Sequence, residues 1–266
     1  MMREAEIIKE AVVKAGNRIN QLANKHDITQ KSNASPVTEA DLAANQILKN
    51  HLLGYFPEYG WLSEESYDDL IRLKKNRVWI VDPLDGTKEF IHQRPEYVIS
   101  VALVEHHIPI MAAIYNPVTK ELFFAAKGEG AFRNEIRITS DKILHEKIEV
   151  MASRSEVAKG VWQCFSDRFD IKPMGSIAYR LALVAAGFTH ASFNLTPRNE
   201  WDIAAGVLLV QEAGGVVHDL FNMQFKFNKK STCVNGVIAC AKKNYREMMQ
   251  KIAPELNAIH LNALIT

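Results

Sequence analysis

Apolar residues in the first stretch of the chain recur at helical spacing. Ile8, Val12, Ala15, Ile19 and Leu22 fall on one stripe and predict an amphipathic opening helix. The run from Asn24 to Pro36 (NKHDITQKSNASP) is polar and aperiodic and is expected to be a mobile loop. Ala44, Ile47, Leu48, His51, Leu52 and Tyr55 then share a face, which predicts a second helix with Thr38 as its N-cap and Asp41 in its first turn. Beyond it the pattern turns strand-like. Tyr59–Ser63 leads into Glu64 and Glu65, and Arg77–Val81 (RVWIV) ends at Asp82, where Pro83 is expected to stop the strand.

Three further runs, Val98–Val104, Ile110–Tyr115 and Glu121–Ala126, are separated by turn signals at Asn116-Pro117 and Lys127-Gly128, the pattern of an antiparallel meander. The second half alternates. Strands are predicted at Ile148–Ala152, Thr189–Asn194 and Val234–Ala241, and helices at Ser176–Ala186, Asp202–Ala213 and Asn244–Ile259. The change of rhythm near 135–147 divides the chain into an N-terminal α+β sub-domain, 1–140, and a C-terminal α/β sub-domain, 141–266, sharing a cleft.

Composition narrows the class. The 266 residues are 47% hydrophobic and 24% charged, ample for a core, and the formal net charge is +1. That balance, with no lysine/arginine block, gives no support to binding of a nucleic-acid polymer or a membrane surface, but leaves a small anionic substrate open. The three cysteines form no C-x-x-C pair, which argues against zinc and against a disulfide framework. The opening residues lack a signal-peptide core and no apolar run reaches the roughly 18 residues of a membrane span, so a cytoplasmic location is expected.

The informative segment is Val78–Thr87 (VWIVDPLDGT). An apolar strand delivers Asp82 at its C-terminal end, where α/β proteins place ligands. Asp85 follows across a tight turn, Gly86 permits close backbone approach, and Thr87 opens a helical turn whose free N–H groups suit a phosphate. Two aspartates this close repel unless a cation lies between them, and oxygen-only ligands point to magnesium or manganese. Taken alone, the pair is also compatible with one capping aspartate and one solvated one.

Three separate blocks carry a resemblance: Trp61–Ser66 (WLSEES), Asp82–Thr87 (DPLDGT), and Trp201–Gly206 (WDIAAG) followed by Glu212–Gly215 (EAGG). In this order the chain resembles the inositol monophosphatase superfamily of lithium-sensitive, magnesium-dependent phosphatases, over about residues 5–240. The resemblance implies a layered αβαβα sandwich. Within the superfamily, Ser35–Asp41 (SPVTEAD) and Lys88-Glu89-Phe90 look most like the bacterial 3'(2'),5'-bisphosphate nucleotidases.

By position, the resemblance implies that Glu64, Asp82 and the carbonyl of Leu84 bind one Mg2+ and that Asp82, Asp85 and Asp202 bind another, two or three ions in all. It implies that Thr87, supported by Asp41, orients the attacking water with Glu64, and that Gly86 and Thr87 offer N–H groups to the phosphate. Asp85, Ser176, Arg198 and Asp202 complete the substrate contacts. Glu65 is assigned a supporting role and Trp201 core packing; Asp41 also fits a helix-dipole role, and Lys31 either swings over the phosphate or is merely solvated.

Two stretches depart from the nucleotidase pattern. The expected Gly-Ser-Ser-x-Lys is here Gly175-Ser176-Ile177-Ala178-Tyr179, and Arg180 points about 100° away from Tyr179 on a helix. Arg198 stands before Trp201, placed either for a second phosphate or as a surface residue beside Pro197. The expected substrate is a small phosphorylated metabolite: adenosine 3',5'-bisphosphate first, inositol phosphate or another sugar phosphate second. A silent binding protein is the third possibility, disfavoured by the intact carboxylate set. Monomer and homodimer both remain open.

Overall fold

A computed structural model describes residues 2–23, 28–30, 36–141 and 147–265. The predicted amphipathic stripe closes α1 (Met2–Leu22), burying Ile8, Val12, Ala15, Ile19 and Leu22. Most of the expected 24–36 loop, Lys31 and Ser35 included, lies outside the described residues. Two parts of that run depart from a loop: β1 (Ile28–Gln30) pairs antiparallel with β2 (Pro36–Thr38). Helix α2 (Glu39–Tyr55) starts at the predicted cap, with Thr38 Oγ accepting from the Ala40 amide.

In chain order β3 (Gly60–Ser63), β4 (Arg77–Asp85), the short α3 (Thr87–Ile91), β5 (Val98–Glu105), β6 (Ile108–Asn116), β7 (Glu121–Ala126), β8 (Gly130–Arg133) and β9 (Ile136–Ile138) follow. The strands form a sheet in sequence order, β3 to β9, parallel between β3 and β4 and antiparallel beyond. Period-two alternation buries both faces. Trp79, Val81, Ile99, Val101, Leu103 and Met111 meet α1 and α2, while Val78, Ile80, Ala102, Val104, Ala112 and Ile114 face the other way. Gly16 lets α1 press close against β6: a Cβ there would sit 2.6 Å from the Tyr115 ring.

The second half supplies β10 (Glu149–Ser153), α4 (Arg154–Ala158), β11 (Asp170–Met174), α5 (Ile177–Ala185), β12 (Ala191–Asn194), β13 (Arg198–Asn199), α6 (Glu200–Glu212), β14 (Val216–His218), β15 (Cys233–Val234), β16 (Val237–Cys240) and α7 (Tyr245–Ile265). A mixed sheet runs β11-β10-β12-β16-β14. Val237 and Ala239 turn toward α5 and α6, and Ile238 and Cys240 toward α7 and the Trp162–Phe165–Phe169–Phe193 aromatic cluster. The layers are α1/α2, first sheet, α5/α6, second sheet and α7, the expected αβαβα sandwich. The predicted Val234–Ala241 strand is cut in two at Gly236, whose φ of 65° breaks the extended run. Helix α6 begins at Glu200, two residues before the expected start.

Candidate metal centre and active-site cleft

Pro83 does not end β4. The strand continues to Asp85 through a register shift: Asp82 pairs with Ser100 and Asp85 with Val98, so three steps on β4 match two on β5. Proline, which cannot donate a ladder hydrogen bond, is tolerated at such a bulge. The extra residue has a chemical consequence. In a regular strand Asp82 and Asp85, an odd number of positions apart, would face opposite sides. Across the bulge both line one cleft of about 300 Å³. Gly86, at φ 106°, closes the turn, and a Cβ there would lie 2.9 Å from the Glu96 carbonyl oxygen.

Glu64 is delivered just past β3, its amide donating to the Val81 carbonyl at 3.2 Å. Asp202 arrives from the other half of the chain as the third residue of α6. Its Oδ2 accepts from the amide of the N-cap residue Asn199 at 2.9 Å in a capping box. Oxygen atoms of Glu64, Asp82 and Asp202 lie within 4.8 Å of one another. Asp85 lines the same cleft, but its Oδ2 accepts from Ser176 Oγ and from the Ala178 amide, both at 2.7 Å. Those bonds fix the orientation of its carboxylate.

These acids are electrostatically incomplete as they stand. Asp82 is held well above the ordinary carboxylate range by burial and then by Glu64, Asp85 and Asp202. Burial and then Asp85 push Asp202 up to about 8. Asp85 rises to about 6, mainly by burial, with Ser176 and the Ala178 amide opposing. Among the described residues no lysine or arginine forms an ion pair with Asp82, Asp85 or Asp202. Arg180 eases Asp85 and Arg198 eases Asp202 without an ion pair to either, and the converging hard oxygen donors suit a divalent cation of the magnesium class.

Asp41 serves two partners with its two oxygens. Oδ2 accepts from the Thr38 amide at 2.8 Å and from Thr38 Oγ at 2.6 Å; Oδ1 accepts from Thr87 Oγ at 2.8 Å. Asp41 thus bonds both the N-cap residue of α2 and Thr87 at the cleft. Burial raises its pKa despite the Thr38 and Thr87 donors. Leu84 turns its amide to Asp82 Oδ1 and its carbonyl to Thr87 Oγ.

Ser176 caps α5, and its hydroxyl both donates to Asp85 and accepts from the Tyr179 amide. Arg198 lines the cleft and pairs with Glu156 at 2.8 Å. Ile177 lines it too, whereas Tyr179 points into the sandwich and donates to Glu121 Oε2 at 2.6 Å. Glu65 accepts from Asn45 through its carbonyl and is not among the cleft-lining residues. Trp201 packs on the core.

Sequence reasoning missed Arg154, which lines the cleft beside Ser153 and Ser155, and the carboxylates Glu89 and Glu96 that pair with it. The available signal was positional: Ser153-Arg154-Ser155 sits at the C-terminal end of a strand. Glu200, fully buried and pushed up to about 7 by burial, was also missed; it accepts from the Asn228 and Lys229 amides and ties that segment to α6.

Comparison with known proteins matches residues 2–261 to the inositol monophosphatase family. The Nus factor SuhB of Xylella fastidiosa is 36% identical over 229 residues, 80% of each chain. The 3'(2'),5'-bisphosphate nucleotidase CysQ of Escherichia coli O157:H7 is 31% identical, covering 83% of this chain and 92% of its own. Among solved structures, the IMPase of Thermotoga maritima superposes with a TM-score of 0.85 at 27% identity, over 97% of this chain and all of that one. Relatives at comparable identity bear the names of inositol monophosphatases, SuhB and CysQ alike, so the expected special closeness to the nucleotidases is not singled out. Among the described residues no helix is long and apolar enough to cross a membrane. The chain belongs to the inositol monophosphatase family and is a metal-dependent phosphatase acting on phosphate monoesters.

Proposed function

We propose that this enzyme uses Mg2+, two or three ions, to remove the 3'-phosphate of adenosine 3',5'-bisphosphate, giving AMP and phosphate. One observation supports this most: Glu64, Asp82, Asp85 and Asp202 line a single cleft beside the Thr87–Asp41 hydrogen bond. In this reading the sub-domain 1–140 supplies Glu64, Asp82, the Leu84 carbonyl and Asp85 as metal ligands, and the sub-domain 141–266 completes the set with Asp202. When bound, the ions supply Lewis acidity that activates water and neutralises charge on the phosphate.

The chain's own groups do the rest. Thr87 Oγ donates its hydrogen bond to Asp41 Oδ1, so its lone pairs are free to accept a hydrogen bond that orients the attacking water. Glu64 would take the single proton that this water loses as it attacks, the proton passing on to the leaving oxygen. N–H groups at Gly86 and Thr87 hold the phosphate oxygens, and Asp85, fixed by Ser176, together with Asp202 keeps the ester aligned. Lithium inhibition belongs to the same proposal. The CysQ relatives support the nucleotide reading.

Hydrolysis of inositol 1-phosphate is the second reading. It is favoured by the relatives that bear that name and by Tyr179, which occupies the nucleotidase lysine position yet turns out of the cleft. Phosphate release from both substrates and from fructose 1,6-bisphosphate, with and without Mg2+, tests the choice. The nucleotide reading expects the highest kcat/KM on adenosine bisphosphate. A preference for inositol phosphate above about tenfold, or ~1.4 kcal/mol, overturns it in favour of the second.

A further inference from the structure

Helix α2 reaches the cleft through two polar side chains. Asp41 and Asn45 stand one turn apart on it and so share a face. Both are buried, Asp41 against the Thr87 hydroxyl and Asn45 against the turn that carries Glu64. The Asn45 amide engages three groups of that turn. Its Oδ1 accepts from Ser63 Oγ at 2.7 Å, and its Nδ2 donates to the Glu65 carbonyl at 3.2 Å and to Ser66 Oγ at 3.1 Å. One side chain therefore grips the residues on both sides of Glu64.

Further bonds close the turn on itself. Ser63 Oγ also accepts from the Glu65 amide at 3.3 Å, Ser66 Oγ accepts from Trp61 Nε1 at 3.1 Å, and the Ser66 amide donates to the Ser63 carbonyl. From the other direction, the Glu64 amide donates to the carbonyl of Val81, the residue before Asp82. The backbone at Glu64 is thus fixed both to β4 and to α2. Packing alone does not call for a polar residue at position 45, because Ala40, Ala44, Leu48 and Leu52 already seat α2 on the core. Nor is Asn45 among the cleft-lining residues. Its amide is neutral and meets only the neighbours of Glu64, so it acts on the cleft by geometry.

We infer that Asn45 is a positioning residue: together with Asp41 it makes α2 a common support that sets where Glu64 stands relative to Thr87, and hence how tightly Glu64 holds its cation. The inference rests on the reading of Glu64 as a metal ligand. It does not depend on which phosphate ester is the substrate.

Calorimetric titration with Mg2+ in the absence of substrate tests it, beside thermal melts and kcat/KM on the preferred ester. Asn45→Ala should raise the Mg2+ dissociation constant about tenfold, with a fall in kcat/KM at saturating Mg2+. Ser63→Ala removes the hydroxyl that links Asn45 to the Glu65 amide and should shift the constant in the same direction. Because the two act through one turn, the double variant should bind Mg2+ within about twofold of Asn45→Ala. Leu52→Val, about two turns further along α2 and in the apolar core, is the control: its Tm should fall while its Mg2+ constant stays within about twofold of the wild type. If Asn45→Ala does not fold, Ser63→Ala against Leu52→Val decides. Wild-type Mg2+ constants in the folded Asn45 and Ser63 variants, or an equal shift in Leu52→Val, overturn the positioning role alone. A Glu64→Gln variant that binds Mg2+ as tightly as the wild type, or a wild type that binds none, overturns the ligand reading and the inference with it.

Discussion

The carboxylate wall of the cleft and its arginine wall are neutralised in different ways. Burial first, and then neighbouring carboxylates, raise the pKa values of Asp82, Asp85 and Asp202, and no described lysine or arginine is ion-paired with them. Arg154 and Arg198, by contrast, already carry glutamate partners, and only Arg180 is left with neutral acceptors. The acidic wall therefore depends on something from solution to complete it. The basic wall is largely self-sufficient and can hold its shape whether or not a ligand is present. Burial explains the contrast, since a desolvated charge must find a partner, bind a metal or change its protonation state.

Substitutions sharpen this difference, beginning with the acidic wall. Asp82→Asn should lower kcat/KM by roughly a thousandfold or more, ~4 kcal/mol of transition-state stabilisation, with the fold retained by circular dichroism, and Asp85→Asn should behave alike. Full activity in either would contradict a ligand role. Asp41→Asn comes next. It weakens both the Thr87 contact and the α2 cap, so a fall of roughly 10- to 100-fold in kcat should accompany a loss of about 1 kcal/mol in stability.

Chelation exposes the incompleteness directly. An acid whose pKa is raised on folding binds its proton more tightly in the native state, so its contribution to stability declines as pH rises from the unfolded value toward the native one. For Asp202 that window runs from 3.8 to about 8. The metal-free protein should melt several degrees lower at pH 8 than at pH 5, and Mg2+ should restore most of the difference at pH 8. A melting temperature indifferent to both would mean that the carboxylates do not repel as the geometry implies.

The smallest effect is expected at Tyr179→Phe. Its hydroxyl bonds Glu121, which keeps Thr119 and Arg133 as partners, so the loss should be about 1 kcal/mol. Substrate preference should stay within about twofold; a larger change would place Tyr179 in the cleft after all.

The strands and helices were largely legible because their patterns are local. The α1 stripe and the apolar run Val78–Val81 each report surface to be buried, and both are buried. The bulge was not legible. Pro83 reads as a strand end because it lacks an amide proton, and only pairing with Val98 and Ser100 shows the ladder resuming beyond it. Nor was the direction of Tyr179, decided by a glutamate 58 positions away. Arg154 was hidden for the same reason: the glutamates that position it come from the other half of the chain.

By itself the sequence determined which acids, hydroxyls and glycines were available and the order of the elements that carry them, since backbone propensity and hydrophobic period act over a few residues. Only the tertiary structure decided that three distant segments bring their carboxylates into one cleft, that a bulge turns Asp85 to the side of Asp82, and that arginines form the facing chemistry. Those outcomes depend on strand register and on layers closing over one another, which no local stretch of the chain encodes.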